Sequence, residues 1–245
     1  MTLRIALVIP TLNEEAAIGD VVAAVPRDVV DDIIVVDSGS ADRTVERARA
    51  AGARIVGLCE RGYGRACQAG VDAARDCDIV VFLDGDGSDC PELIPHLVEP
   101  IVGGRYDFVI GSRTRGKRER GSMTAHQLLA GRLIGAAVRL LYAVGYTDMC
   151  PFRAIRRDAL MRLGMREETY GWNLEMQMRA ARAGLRVLEV PVAHRRRAGG
   201  TSKVSGNLRG SIKASWRILL TFTRIAAERR AARNAVAAST GRNYR

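Results

Sequence analysis

The chain has 245 residues, of which 47% are apolar and 27% are charged, and its formal net charge is +11. This composition excludes a disordered chain, and the length favours one large domain, alone or with an appendage. The sequence has no run of 18 or more uncharged apolar residues, and its first ten residues lack the features of a secretory signal, so we expect neither a membrane span nor a secreted protein.

The first 110 residues alternate short apolar runs with segments of helical length. We predict strands over residues 5–9, 33–36, 54–58, 79–83 and 108–110, and helices over residues 14–25, 42–51, 64–75 and 91–102. Asn13, Ser40 and Pro91 stand where helix-capping or first-turn residues are expected. This alternation predicts an α/β fold with a mostly parallel central sheet, helices on both faces and ligands bound beyond the carboxyl ends of the strands.

The second half of the chain predicts fewer strands. A basic loop over residues 113–120 precedes predicted helices over 124–144 and 172–183, a strand over 187–192 and a final helix over about 207–232. We find no repeat and no linker rich in proline or serine. The sequence therefore predicts one domain of residues 1–206, followed by a C-terminal basic amphipathic helix and tail of residues 207–245.

Polar loops follow three of the predicted strands, and the topology brings them to one edge of the sheet. The most distinctive is Asp84-Gly85-Asp86, which directly follows an apolar run. Two carboxylates in this position can hold Mg²⁺ or Mn²⁺ and leave coordination positions for water and phosphate. A simple turn rich in aspartate and glycine explains the same residues. The loop lacks the glycine and glutamate spacing of an EF-hand, and no dinucleotide-binding glycine motif follows the first strand.

Four motifs in this order and spacing resemble those of family 2 glycosyltransferases with the GT-A fold. They read V-I-P-T-L-N-E-E, I-V-V-D-S-G-S-A-D-R-T, F-L-D-G-D and I-G-S-R. Segments 148–154, 172–184, 189–192 and 197–203 are similar to the dolichyl-phosphate mannosyltransferase, or polyprenyl-phosphate glycosyltransferase, branch. The resemblance covers residues 4–222 and implies a metal-dependent, inverting transfer of a hexose from a nucleotide sugar, of the GDP-mannose or UDP-glucose type, to a polyprenyl phosphate.

The resemblance also implies a role for particular residues. The metal ligands, for Mg²⁺ or Mn²⁺, would be Asp84 and Asp86, and the catalytic set would add Arg113 and Glu175. The donor nucleotide sugar would be bound by Pro10, Asn13, Glu14, Asp37, Arg61, Gly62, Asp84 and Arg113. Acceptor or phosphate contacts would come from Arg153, Arg197, Ser202 and Lys203.

Several positions depart from the family pattern. Ser38 replaces the second aspartate of the usual D-D-G-S, Ser88 replaces a glutamine able to reach the metal, and Pro151 replaces the glycine of G-F-R. Met176 stands where many members that glycosylate hydroxyls carry a general-base aspartate. A hydroxyl acceptor needs such a base, whereas a phosphate acceptor is already an anionic nucleophile. Met176 therefore favours a lipid phosphate. A soluble or lipid hydroxyl acceptor, with Glu175 or Asp148 as the base, remains the alternative.

The positive charge is concentrated near the C-terminus. Residues 194–245 contain 13 Lys or Arg and one acidic residue, while residues 1–193 have a net charge of −1. In the predicted last helix, apolar residues that include Trp216 recur at helical spacing beside a basic stripe. This pattern favours binding to an anionic membrane surface by a cytoplasmic enzyme, peripherally at the inner face of the membrane. A helix packed on the body explains it as well. Nucleic-acid binding is disfavoured by the 5% aromatic content and the absence of a known binding motif.

Overall fold

A computed structural model describes residues 3–199 and 215–228 of the chain. Ser202 and Lys203, expected to contact phosphate, lie outside the described residues, as do residues 207–214 and 229–245 of the predicted tail.

The described residues form one seven-stranded sheet. Its strands are β1 (Ile5–Thr11), β2 (Asp32–Asp37), β3 (Arg54–Gly57), β4 (Ile79–Phe82), β5 (Phe108–Ser112), β6 (Arg153–Arg156) and β7 (Val187–Pro191), in the spatial order β3-β2-β1-β4-β6-β5-β7. All neighbouring strands are parallel except β6, which is antiparallel to both β4 and β5. The prediction of a mostly parallel sheet is confirmed.

Helices connect and cover the strands. They are α1 (Ile18–Ala23), α2 (Thr44–Ala50), α3 (Tyr63–Ala73), α4 (Ile94–Val102, after a 3₁₀ turn over Pro91–Leu93), α5 (Ala125–Tyr142), α6 (Arg157–Leu163), α7 (Trp172–Arg182) and α8 (215–228). The central strands are buried along their whole apolar runs, as residues 5–9 of β1 and 79–82 of β4 show. Continuous apolar runs form strands of this kind because both faces of the sheet are covered.

Two features of the fold differ from the sequence expectations. First, β6 and α6 were not predicted, because the four-residue strand R-A-I-R begins and ends with arginine and lacks an apolar run. Second, Asn13 and Ser40 do not cap helices: α1 and α2 begin after Ala17 and Arg43, without a side-chain cap. Asn13 has φ = 51° and instead accepts a hydrogen bond from the amide of Ala41, which joins the two loops.

The described part of the predicted C-terminal helix, α8, has one face turned inward. Thr221 and Ile225 are buried, whereas Trp216, Leu219 and Leu220 are 60%, 52% and 43% exposed. Among the described residues, no helix combines the length and the apolar character needed to cross a bilayer.

Candidate active site

The loops after β1, β2 and β4 meet at the carboxyl edge of the sheet, as the topology predicts. The amide of Asn13 donates to Ser40 Oγ (2.8 Å), and the amide of Glu14 donates to Thr44 Oγ1 (2.8 Å). Asp37 is 6% exposed, and its carboxylate accepts hydrogen bonds from the amides of Gly39 and Ser40. The expected donor-pocket residues after β1 and β2 therefore form one hydrogen-bonded rim.

The loop after β4 carries the aspartate pair. A Cβ on Gly85 would lie 2.7 Å from Thr11 Cγ2, so the loop packs tightly against the end of β1. Gly87 has φ = +78°, a conformation that favours glycine. Asp86 Oδ1 accepts hydrogen bonds from the amide (2.9 Å) and hydroxyl (2.6 Å) of Ser88. These contacts fix the backbone that presents Asp84 and Asp86.

Three carboxylates, those of Asp84, Asp86 and Asp89, lie close together in this loop. Burial, followed by the charges of Asp86 and Asp89, raises the pKa of Asp84 well above the usual range. Asp89 is 1% exposed, and its Oδ1 lies 3.5 Å from His194 Nδ1 without forming a hydrogen bond among the described residues. The carboxylates of Asp84 and Asp86, which repel each other at the end of a buried strand, are suitable ligands for a divalent cation that keeps further positions for water and phosphate. Within residues 3–199 and 215–228, no three His, Cys, Asp or Glu side chains are grouped so that they could hold a metal ion by themselves.

Arg197 reaches this loop from the segment that follows β7. The amide of Arg195 donates to the carbonyl of Ser88 (2.8 Å), and the amide of Ala198 donates to the carbonyl of Asp86 (3.0 Å). The Arg197 guanidinium then contacts Asp86 Oδ2 (2.9 Å) and the carboxylate of Glu14. The structure thus places Arg197, expected to contact phosphate, beside the aspartate pair.

Arg113, at the end of β5, forms a bidentate ion pair with Asp148. Its Nε donates to Oδ2 (2.7 Å) and its Nη2 to Oδ1 (2.8 Å), while its own amide also donates to Oδ2 (3.0 Å). Asp148 is 4% exposed. Burial alone would raise the pKa of Asp148, but the hydrogen bonds and charge of Arg113 lower it. A carboxylate held in this way is a weak base, which argues against Asp148 as the general base.

Two residues near the aspartate pair were given no individual role from the sequence. Tyr63 Oη donates to Asp84 Oδ1 (3.2 Å), and burial together with the charge of Asp84 raises the pKa of Tyr63. His194 is 5% exposed, with Nδ1 3.5 Å from Asp89 Oδ1. The glycines on either side of Tyr63 in R-G-Y-G are a local signal that could have drawn attention to it. His194 has no such signal, because it lies 105 positions from Asp89 in the sequence.

The loop of Arg61 and Gly62, expected to bind the donor nucleotide sugar, lies against the residues that precede α7. A Cβ on Gly62 would lie 2.4 Å from the carbonyl oxygen of Glu168, and the amide of Arg65 donates to that oxygen (3.0 Å). Arg61 is exposed, and Pro10, at the end of β1, is half-buried. Because Tyr63 contacts Asp84, this loop adjoins the aspartate pair.

The placement of Arg153 argues against the expected phosphate contact. The residue is fully buried, its Nε donates to the carbonyl of Cys150 (2.9 Å) and its Nη1 to that of Asn173 (3.0 Å). Its guanidinium lies 5.8 Å from the centre of the Phe108 ring, and burial lowers its pKa. In the structure, Arg153 uses its donors to hold backbone segments together inside the protein.

Glu175, a candidate catalytic residue from the sequence, is likewise held by contacts inside the protein. It is fully buried; Oε2 accepts the amides of Arg166 (2.9 Å) and Glu167 (2.6 Å), and Oε1 accepts Arg179 Nε (2.9 Å) and Arg224 Nη2 (3.1 Å). A carboxylate with four donors and no exposure has no path to an acceptor hydroxyl. Because Arg224 belongs to α8, Glu175 instead helps to dock that helix on α7.

Replacing Glu175 by glutamine tests this reassignment. We expect the free energy of unfolding in urea to fall by roughly 2 to 4 kcal/mol, because Arg179 and the partly exposed Arg224 lose their shared anion. The transfer rate of the folded variant should stay within a few-fold of the wild type. The same change at exposed Glu99 is the matched control. A general base would behave differently, with a rate loss of about 10² to 10⁴ and little loss of stability.

Comparison with known proteins agrees with this geometry. The family model described as glycosyl transferase family 2 matches residues 6–164. The chain is 38% identical over 205 residues to a dolichyl-phosphate hexose transferase of Haloferax volcanii, covering 80% of this chain and 85% of the relative. The chain belongs to glycosyltransferase family 2. It is also 34% identical over 228 residues to an undecaprenyl-phosphate mannosyltransferase of Micrococcus luteus, covering 85% and 90% of the two chains.

A solved structure supports the same assignment. The glucosyl-3-phosphoglycerate synthase of Mycobacterium tuberculosis, in complex with Mn²⁺, UDP-glucose and phosphoglyceric acid, superposes with a TM-score of 0.75 at 28% identity, covering 92% of this chain and 80% of that one. The expected GT-A fold and the resemblance to polyprenyl-phosphate glycosyltransferases are confirmed. This family 2 protein is a glycosyltransferase.

Proposed function

We propose that this glycosyltransferase moves a hexose from a nucleotide sugar to a polyprenyl phosphate at a membrane surface, with inversion at the sugar carbon. The observation that carries the proposal is that an aspartate loop suited to a divalent cation lies beside an arginine, while both candidate general bases form ion pairs with other arginines. Asp84 and Asp86 lie beside Arg197, whereas Asp148 and Glu175 are held in ion pairs. The names of the two lipid-phosphate relatives support the acceptor.

Asp84 and Asp86 would hold Mg²⁺ or Mn²⁺ together with the donor pyrophosphate and water, a ligand set that magnesium commonly adopts. The bound ion would stabilise the negative charge of the departing nucleoside diphosphate. The rim formed by Pro10, Asn13, Glu14 and Asp37, with the Arg61–Gly62 loop, would bind the nucleoside. Arg113 and Arg197 would neutralise phosphate charge, since guanidinium groups suit phosphate oxygens. The solved relative contains both Mn²⁺ and a nucleotide sugar.

The acceptor chemistry follows from the absence of an available base at these positions. A phosphate oxygen of the acceptor attacks the sugar carbon as the bond from that carbon to the diphosphate oxygen breaks. The attacking oxygen carries no proton that must be removed, so neither Asp148 nor Glu175 is needed as a base. In this account Arg197, held between Glu14 and Asp86, is positioned to exchange those carboxylates for a phosphate.

The C-terminal helix would bring the enzyme to the membrane. Its docked face contacts the body through Thr221, which donates to Glu167 Oε2 (3.0 Å), and its other face exposes Trp216, Leu219 and Leu220. An outward aromatic and apolar face in a basic segment favours an anionic membrane surface. We retain residues 1–206 as the catalytic domain and 207–245 as the membrane-associating extension within this proposal, which places the enzyme peripherally at the cytoplasmic face.

Thermal unfolding with candidate donors tests the donor part of the proposal. We expect either GDP-mannose or UDP-glucose to raise the Tm when Mn²⁺ or Mg²⁺ is present, because a ligand at 100 times its Kd stabilises the folded state by about 2.7 kcal/mol. The shift should disappear when EDTA is added. A donor that raises the Tm equally with and without EDTA would contradict a metal-dependent donor site.

A further inference from the structure

Helix α5 has an unusual distribution of side chains. Its buried residues are Gly131, Gly135 and Val138, which recur at helical spacing, while the leucines at positions 129, 133 and 140 are 58%, 62% and 88% exposed. A surface helix normally buries its large apolar residues and exposes its polar ones. The inner face of α5 combines two glycines with Val138 and the partly buried Ile134, Leu141 and Tyr142. The glycines are needed because the chain lies very close there: a Cβ on Gly135 would be 2.0 Å from the carbonyl oxygen of Tyr146.

The charges around these leucines indicate the kind of partner. Arg132 and Arg139 are exposed on the same helix, and the chain contains no acidic residue between Glu119 and Asp148. The loop of residues 113–120 before the helix adds five basic residues and one acid. An apolar stripe among uncompensated cations matches an anionic bilayer surface. A symmetric contact between two copies of α5 would bring arginines together with no acidic residue on the helix to pair with them.

Both ends of α5 lead to the candidate active site. Ser112 Oγ, at the end of β5, lies 2.6 Å from Thr147 Oγ1, and Thr114 Oγ1 donates to the carbonyl of Thr147. The Arg113–Asp148 ion pair lies between the same two segments. The residues that precede and follow α5 are therefore held together beside Arg113. These contacts fix both ends of the helix that carries the exposed leucines next to the candidate active site.

We propose that the outer face of α5, through Leu129, Leu133 and Leu140, docks on an anionic membrane surface and brings the active site to its lipid acceptor. This surface is separate from α8. That docking serves to reach a lipid acceptor rests on the proposed function. Membrane binding by α5 does not depend on it, and membrane binding and hexose transfer are measured in separate experiments.

Vesicle binding of the full chain tests the docking. Replacing all three leucines by glutamine, which preserves helix propensity, should lower the partition coefficient on vesicles containing phosphatidylglycerol by about tenfold or more. The paired changes Val102→Gln and Met161→Gln, at exposed apolar residues of α4 and α6, are the matched control and should leave binding unchanged. Replacing Arg132 and Arg139 by glutamine should reduce the preference for phosphatidylglycerol over pure phosphatidylcholine vesicles.

Hydrogen exchange adds a readout for the site of contact. We expect vesicles to slow amide exchange over residues 125–142 in the wild type and not in the triple variant. Unchanged vesicle binding of the triple variant would overturn the proposal. Slower exchange over residues 125–142 without vesicles, at rising protein concentration, would also overturn it, because a second copy of the chain would then cover this face. Transfer to detergent-dispersed polyprenyl phosphate should survive in the triple variant. If neither the wild type nor the triple variant transfers hexose to it, the proposed acceptor is wrong, while the vesicle-binding result still tests the docking.

Discussion

Replacing Asp84 or Asp86 by asparagine is expected to lower the transfer rate by about 10³-fold or more, because several kcal/mol of stabilisation at the leaving diphosphate depends on the ion they would hold. Metal-dependent donor binding should be lost in the same variants. Asparagine keeps the shape of the side chain and one oxygen for the contacts with Tyr63 or Ser88. The measurements are the initial rate at saturating donor and the Tm shift by donor and Mn²⁺.

The Asp84→Asn variant should also be more stable than the wild type in EDTA at neutral pH. Folding raises the pKa of Asp84, so its contribution to stability is complete only below the unfolded pKa of about 3.9 and falls as the pH rises above it. Asparagine does not titrate, and the stability difference between the two proteins should therefore grow from pH 5 to pH 8. Urea unfolding at several pH values measures it.

Asp20→Asn, at an exposed position in α1, is the matched control for both measurements and should change neither the rate nor the pH dependence. An inactive Asp84→Asn variant that is also less stable than the wild type at pH 8 would mean that the carboxylate has a structural role. Full activity in Asp84→Asn and Asp86→Asn would remove the pair from the proposed site.

Replacing Arg113 by methionine is expected to reduce both stability and transfer. The change leaves Asp148, which is 4% exposed, without its bidentate partner, and breaking such a buried pair costs roughly 3 to 5 kcal/mol. The double variant Arg113→Met with Asp148→Asn removes the unpaired charge and should recover most of the stability. Its transfer rate should remain about 10²-fold below the wild type, because the guanidinium that we propose for the donor phosphates is still missing.

Chemical unfolding and initial rates on the folded fraction separate the two effects. Arg105→Met, at an exposed arginine after α4, is the control and should be nearly neutral in both. Recovery of transfer together with stability in the double variant would show that Arg113 only positions Asp148 and the backbone. A stable and active Arg113→Met variant would contradict both parts of the expectation.

The sequence was informative where local pattern decides structure. Continuous apolar runs predicted six of the seven strands, and the order of those strands placed the loops of Asn13, Asp37 and Asp84 at one edge of the sheet. Both results follow from general rules that need only the local sequence: apolar runs of this length form buried strands, and parallel strands end at a common edge of the sheet.

The sequence failed where contacts join distant segments. Glu175 was a candidate base because the sequence does not show what surrounds it. Its carboxylate is held by Arg179, by two backbone amides and by Arg224, which lies 49 positions further on. Arg153 resembled a phosphate ligand, but it lies in an antiparallel strand that no local pattern revealed. The approach of Tyr63 to Asp84 and of His194 to Asp89 likewise depends on tertiary packing, which one-dimensional spacing does not encode.

The same kind of contact, between distant segments, accounts for part of the charge of the basic C-terminal segment. Arg197 belongs to the segment that crosses the Asp84–Asp86 loop, while Arg224 docks α8 against Glu175. Part of the positive charge is thus compensated inside the protein, and the membrane contacts that we propose are left to the outward residues of α5 and α8.

The most direct test of the central claim compares two acceptors that differ only in the phosphate. The full chain is incubated with the donor and metal that give the largest Tm shift, and with either a polyprenyl phosphate or the matching polyprenol in the same detergent. We predict hexose transfer to the polyprenyl phosphate and none to the alcohol, with the anomeric configuration inverted in the product. Transfer to the polyprenol with none to its phosphate would contradict the account.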